Sequence, residues 1–416
     1  MRKGWKISTL GELCKFENGD RGKNYPGRKA FVSSGIPFIN AGHLGDGKID
    51  WQGMDFIPQS RYDLLGKGKV QKLDLLFCLR GSLGKFGVVD RDIEGAIASS
   101  LVIVRPGEQI ECDFLAAYFR SVLCAEMISK YANGAAQPNL SAKSLKEFQI
   151  PFPPISEQKR IIAILDEAFA GIDTAIANTE KNLANARELF GSYLNLVFSQ
   201  RGEGWEERKL SDYARSISTG PFGSLLHKSD YVSTGVPLVN PINIQGDKIV
   251  PDENKLIDAS TKQRLTSYVL QEGDVVIARR GEIGRCAAID KEQAGWVCGT
   301  GCFFIRPKEQ LNPKYLANLI RSSNYRQKLE KAATGATMKN ITNKSLGNLV
   351  ICVPLLDRQI SILSDIDSLS MEILRLESTY QQKLNSLKEL KQSLLQKAFS
   401  GELTAKPDKL MDENMA

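Results

Sequence analysis

Few residues in this 416-residue chain are of a type and spacing that could make or break bonds. The only histidines are His43 and His227, and the eight cysteines (14, 78, 112, 124, 286, 298, 302 and 352) form no CxxC pair and no regular disulfide frame. Cys298 and Cys302 are the one close pair, and zinc there would need two further ligands, so no metal site is expected and the thiols should be reduced and buried. "RGSLGK" (80–85) has neither the spacing nor the hydroxyl residue of a phosphate-cradling P-loop. No GxSxG elbow, HExxH or zinc-deaminase signature occurs. "PDENK" (251–255) sets its carboxylates side by side, whereas a PD...(D/E)xK nuclease delivers them from separate strands. No Asn/Asp-Pro-Pro-aromatic box for base methylation is found. The chain is expected to bind rather than catalyse.

What remains is the chemistry of recognition. Lys and Arg on glycine-rich loops can anchor phosphates, and Arg, Asn and Gln can discriminate base edges. In the first half the candidates are Arg21, Lys23 and Asn24 of "NGDRGKN" (18–24), Arg28, Arg80, Lys85, and Gln137 and Asn139 of "GAAQPN" (134–139). In the second they are Ser218, Thr219, Phe222 and Ser224 of "STGPFGS" (218–224), Arg279, Arg280, Arg285, and Thr337, Lys339 and Asn340 of "GATMKN" (335–340). The competing reading of each loop is a solvated turn held by glycine. Arg80 and Arg280 stand out because each follows an apolar run and precedes a glycine, although a structural salt bridge would explain them too. His43 and Asn243 occupy equivalent positions and read better as satisfied loop side chains than as base contacts.

These residues recur because the chain is a duplication. At an offset of 200, "GIPFIN" (35–40) meets "GVPLVN" (235–240) and "RGSLGK" meets "RGEIGR" (280–285); Asp74, Asp90 and Gly95 return as Asp274, Asp290 and Gly295. After one inserted residue the offset is 201, pairing "IVRP" (103–106) with "FIRP" (304–307), Gln158 with Gln359, and Phe198-Ser199 with Phe399-Ser400. Within each half the texture changes once. Residues 1–153 and 204–354 carry short apolar strands broken by glycine, with one helix near 114–132 in the first copy, so each reads as an α/β (α+β) module.

Residues 154–203 and 355–403 instead show apolar residues every 3.5 positions on average, the seam of a long helix that must pack on a partner helix. The first seam runs through Ile162, Leu165, Phe169, Ile172, Ile176, Thr179, Leu183, Ala186, Phe190, Tyr193 and Val197; the second through Ile366, Leu369, Ile373, Leu376, Tyr380, Lys383 (or Leu384), Leu387, Leu390 and Leu394. Ser156 and Asp357 sit where N-caps are expected. The pattern predicts an internal pseudo-twofold repeat: two modules alternating with two long helices that pair as an antiparallel coiled coil, and a polar C-terminal tail over 404–416. Charge follows the same division. Residues 1–153 hold 21 Lys+Arg against 16 Asp+Glu, and 204–354 hold 21 against 15, while both helical stretches are net acidic. Basic modules suit phosphates, and acidic helices suit protein.

The pattern resembles the specificity subunits of type I restriction-modification enzymes. The carrying residues are "PFPPISEQKRI" (151–161), "TGPFGS" (219–224), "DYVSTGVPLVNPINI" (230–244), "GDVVIARRGEIGR" (273–285) and "KAFSGEL" (397–403). The resemblance implies a non-enzymatic subunit whose two target-recognition modules each read half of a split double-stranded DNA site. It also implies helices that space the modules and dock two methyltransferase (modification) subunits, with restriction (motor-nuclease) subunits joining for cleavage. This chain would hold no cofactor; S-adenosylmethionine, ATP and magnesium would belong to those partners. "VPLLDRQ" (353–359) departs from the fuller "PPxxEQ" entry. A stand-alone two-module DNA-binding regulator is the alternative. With no apolar run near the ~20 residues of a membrane span and no h-region after Met1, a cytoplasmic protein is expected.

Overall fold

The structure, a computed structural model, describes residues 4–132, 138–333 and 340–405, the Ser224 side chain excepted. It is a mixed α/β chain that divides into two units, Met1–Thr179 with Gln382–Ala416, and Glu180–Gln381. Each unit holds one module and a stretch of each of two 45-residue helices, Ile155–Ser199 and Leu356–Ser400.

In the first unit an antiparallel sheet runs in the order Cys14–Asn18, Leu101–Pro106, Leu75–Cys78, Phe86–Val88. The strand Leu75–Cys78 is apolar at every position because both faces are covered. Leu75 and Phe77 face one core with the helices, and Leu76 and Cys78 face another with Ile39 and Ile97. The helix expected near 114–132 is two helices, Cys112–Arg120 and Val122–Tyr131. Ser121 breaks them: its backbone is extended, with ψ 156, and its side chain caps Cys124 N–H. The module is closed by pairing its entry strand Lys6–Thr9 with its exit strand Gln149–Phe152, which leads directly into the long helix.

The second unit repeats these elements. Its sheet order is Ala214–Thr219, Cys302–Pro307, Val275–Ala278, Cys286–Ala288, and Glu206–Lys209 closes on Val350–Val353. The repeated aspartates are buried in both. Arg105 grips Asp74 with two bonds of 2.7 and 2.8 Å; Arg306 reaches Asp274 through one nitrogen at 3.2 Å and gives its other to Val269 O. Burial outweighs the guanidinium at Asp274 and pushes its carboxyl above the usual range.

The long helices begin at Ile155 and Leu356, so Ser156 and Asp357 lie inside the first turn instead of capping it. The residue before each helix takes the capping place: Pro154 O accepts from Glu157 N and Gln158 N, and Leu355 O accepts from Arg358 N and Gln359 N. Every residue of the first predicted seam is buried or half-buried, and Thr179, its one polar member, returns its hydroxyl to Ala175 O at 2.6 Å. The second seam needs correction. Lys383 and Leu390 are exposed; Leu384 is buried, and Lys391 lies against Phe169 with its ammonium bonded to Asp173. A four-residue step from Tyr380 to Leu384 shifts the seam.

Both units use the same aromatic seat. In the first, Phe399 packs on Phe114 and Tyr118 in a core shared with Ile161 and Leu165. In the second, Phe198 packs edge-on to Tyr315 in a core shared with Ile362 and Ile366. Among the described residues beyond the second helix, 401–405, Thr404 is buried and bonds Glu157. Among the described residues no helix is long and apolar enough to cross a membrane.

Candidate nucleic-acid interface

In the first module the buried strand Leu75–Cys78 ends in a turn that carries Arg80 to the surface. Gly81 takes φ +79, a left-handed turn that favours glycine. Arg80 bridges Asn139, Gly81 N–H donates to Pro138 O, and Leu140 N–H donates to Leu79 O. Two segments far apart in sequence therefore meet, and Arg80, Lys85 and Asn139 are all exposed. Arg21 joins them indirectly: its guanidinium donates to Ser99 O at 3.2 Å, and the adjoining Ser100 O accepts from Leu79 N–H.

The rest of the 18–24 loop divides between structure and solvent. Asp20 accepts from Gly22 N and Gly66 N, which hold its carboxyl below the usual range. Asn24 is a strut, its amide donating to Leu64 O at 3.0 Å. Lys23 and Arg28 are exposed, Arg28 opening the short turn Arg28–Ala30. Gln137 lies outside the described residues.

The second module makes the same junction. Arg280 is exposed and bridges Asn340, and Ile341 N–H donates to Arg279 O. Arg279 faces inward: its Nε donates to Asn340 Oδ1 at 3.1 Å and its guanidinium lies 5.5 Å from the Phe303 ring centre. It therefore holds Asn340 in place. Arg285 is tied to Glu282 at 2.7 Å. Ser218 and Thr219 are strand residues opposite Phe304 and Phe303, not members of a loop as the glycines suggested. The loop starts at Gly220, where a side chain is impossible, since a Cβ would stand 1.9 Å from Gly299 O. Phe222 beyond it is 60% exposed. Thr337, Lys339 and the Ser224 side chain lie outside the described residues.

His43 and Asn243 are satisfied, as their sequence context suggested. Each accepts from the backbone N–H three residues earlier, Asn40 at 3.1 Å and Asn240 at 2.8 Å. All eight cysteines are free and buried. Among the described residues no cluster of His, Cys, Asp or Glu could hold a metal ion.

Two positioning residues escaped the sequence reading except as matched letters. Gln158 is fully buried; it accepts from Glu111 N at 2.9 Å and donates to Gln109 O and Pro153 O. Gln359 does the same with Asn312 N, Gln310 O and Pro354 O. Each ties the first turn of a long helix to the loop that opens a module helix. A proline and a glutamine at the same spacing in both repeats was the available signal.

The model of the type I restriction modification DNA specificity domain matches residues 2–185 and again 202–386. Over 437 aligned positions the chain is 24% identical to the type I restriction enzyme EcoKI specificity subunit of Escherichia coli K12, covering 99% of this chain and 93% of that one. It is 23% identical to the MjaVIII specificity subunit of Methanocaldococcus jannaschii, across 90% and 88%. Among solved structures, it shares its fold with a chain studied for complex assembly and conformational transition of the type I R-M system (TM-score 0.78, 21% identity, 97% and 99% coverage). It also shares it with the HsdS subunit of Thermoanaerobacter tengcongensis (TM-score 0.60, 20% identity, 97% and 98% coverage).

Proposed function

This chain belongs to the type I restriction modification DNA specificity family, whose domain it carries twice, and it acts as a DNA specificity subunit; on that premise we propose how its parts divide the work. Each module reads one half of a bipartite double-stranded DNA site. In the first, Arg80, Lys85 and Asn139, flanked by Arg21, Lys23 and Arg28, face the duplex; in the second, Arg280 and Phe222 do so, with Asn340 oriented by Arg279. The carrying observation is that one Arg-Gly turn and one Asn segment, about 60 residues apart in sequence, come together twice.

The two long helices are a spacer: an antiparallel coiled coil relating the modules by a pseudo-twofold axis. Contacts inside each unit support this. Asp173 bonds Lys391 in one, Arg187 bonds Glu377 at 2.7 Å in the other, and going up one helix corresponds to going down the other by the same number of residues. At 1.5 Å per residue such a helix is roughly 68 Å long, enough to span half-sites one duplex turn, ~34 Å, apart.

The chain is not itself an enzyme. It works in the cytoplasm with two modification subunits that carry S-adenosylmethionine and with restriction subunits that use ATP and magnesium. Purified with modification subunits, it should direct methylation to a split sequence, and Arg80→Ala should relax or weaken one half-site only. Equal loss at both half-sites would overturn the division of labour.

A further inference from the structure

The two modules differ at one arginine. In the first, Arg120 ends the helix Cys112–Arg120 and is held by Asp46: Nε donates to Asp46 Oδ1 at 3.2 Å, Nη2 to Asp46 O at 3.0 Å, and the guanidinium lies over Phe86. Its repeat equivalent, Arg321, ends the helix Pro313–Arg321, but the position matching Asp46 is Gly246. Arg321 Nη2 donates to Asn318 Oδ1, while its Nε is buried with no acceptor among the described residues. A buried N–H without an acceptor is costly and marks a site where a ligand can supply one.

Beside it is a cavity of about 330 Å³ lined by Gly246, Glu282, Gly284, Arg285, Arg321 and Arg326. Arg326 is new to this module, since Ala125 stands at its place in the first. Its stem lies so close to Gly284 that a Cβ there would come within 2.8 Å of it. Glu282 is shared between Arg285 and Arg326 at 2.7 and 3.4 Å, which leaves three guanidinium groups facing one carboxylate. Asp247 and Glu330 line neighbouring cavities with Arg321 and are not paired with it. The cavity adjoins the Arg285 end of the turn that begins at Arg280.

We propose that Arg321, Arg326 and Arg285 form a phosphate-binding pocket of the second module, with no counterpart in the first, that takes a backbone phosphate of bound DNA. Guanidinium forks match phosphate oxygens bidentately, and the phosphate supplies the acceptor that Asp46 supplies to Arg120. The proposal rests on the DNA-reading role above. It makes the second half-site more dependent on salt than the first.

The test restores the missing carboxylate. Gly246 has φ +65 and open space around its Cβ position, and Asp46 itself sits at φ 38, so Gly246→Asp should fold. Gly246→Asn has the same shape and backbone demand without the charge. Binding of the full chain to a duplex is measured across a salt series, with Arg321→Gln as a second variant. Gly246→Asp and Arg321→Gln should each flatten the log K against log salt slope by about 0.9 and weaken binding about eightfold at 0.1 M salt, one phosphate's worth. Gly246→Asn should match the unaltered chain. Identical behaviour of the Asp and Asn variants overturns the proposal. So does an Asp variant that keeps its DNA slope but no longer assembles with modification subunits, which would assign the pocket to a protein carboxylate. If the unaltered chain binds no duplex either alone or with modification subunits, the DNA-reading role fails and the pocket is judged by calorimetry with inorganic phosphate. Heat with the unaltered chain and the Asn variant but not the Asp variant upholds it, and absence of heat overturns it.

Discussion

Replacing Gln158 by Met keeps its length and removes all three of its hydrogen bonds. The groups left behind are Glu111 N–H, Gln109 C=O and Pro153 C=O. Gln109 is exposed and Glu111 half-buried, so water can reach those two, and each should cost about 1 kcal/mol; Pro153 is buried, and its carbonyl should cost nearer 2. A total of about 3–5 kcal/mol follows. Because the Glu111 amide precedes the helix Cys112–Arg120, its loss should loosen the joint between module and spacer before it unfolds either. Gln158→Glu separates polarity from shape: a carboxylate can still accept from Glu111 N–H but faces two carbonyls it cannot donate to, so it should be no better than Met. Urea unfolding of the full chain gives the global cost, and hydrogen exchange at Glu111 gives the local one. If Gln158→Met moves the unfolding free energy by less than about 1 kcal/mol and leaves Glu111 as protected as before, the latch is not what positions the module.

Asp74→Asn should destabilise the first module by about 3 kcal/mol, measured by thermal unfolding, because it strands the Arg105 guanidinium beside a buried neutral amide. Burial pushes the Cys14, Cys112, Cys124 and Cys286 thiols up to about 12, so they should resist thiol reagents at pH 8 until the chain unfolds. The same shifts have a sign: the folded state keeps protons that the unfolded state loses from pH ~8.5 upward, so stability should be intact below pH ~8.5 and fall between there and about 12. Inserting one heptad into both long helices should preserve folding and lengthen the gap between methylated half-sites; an unchanged gap in a folded protein would mean the helices dock partners and measure nothing.

The sequence made some of this plain and hid the rest for physical reasons. The long helix over 155–199 and its apolar side were legible because a 3.5-residue period survives in the letters, though Ile161, Leu194 and Phe198, outside the predicted seam, are among its most buried residues. The second was misread at Leu390, since Lys391 takes the inward place with its ammonium over the Phe169 ring and bonded to Asp173. One helix was expected where Ser121 makes two, because a serine is neutral inside a helix and decisive only when its hydroxyl is free to cap. At the candidate interface the repeat singled out Arg80 and Arg280, but nothing local distinguishes Arg279, held over Phe303, from its exposed neighbour. Ser218 and Thr219 looked like loop because glycines follow them, yet Gly220 is there for the approach of Gly299 and the strand runs up to it. The Asp46–Arg120 pair and its absence at Gly246 were present in the alignment of the two halves, but a lost partner is invisible until the distance between the two positions is known.

We propose above that one chain reads two half-sites with two independent modules. The most direct test of this division is to exchange residues 1–153 for the same stretch of a relative of known specificity, assemble the product with modification subunits, and map methylated bases across a genome. One half of the split site should change to the relative's, while the other half and the gap between them stay as they were. A change in both halves, or in neither, would contradict it.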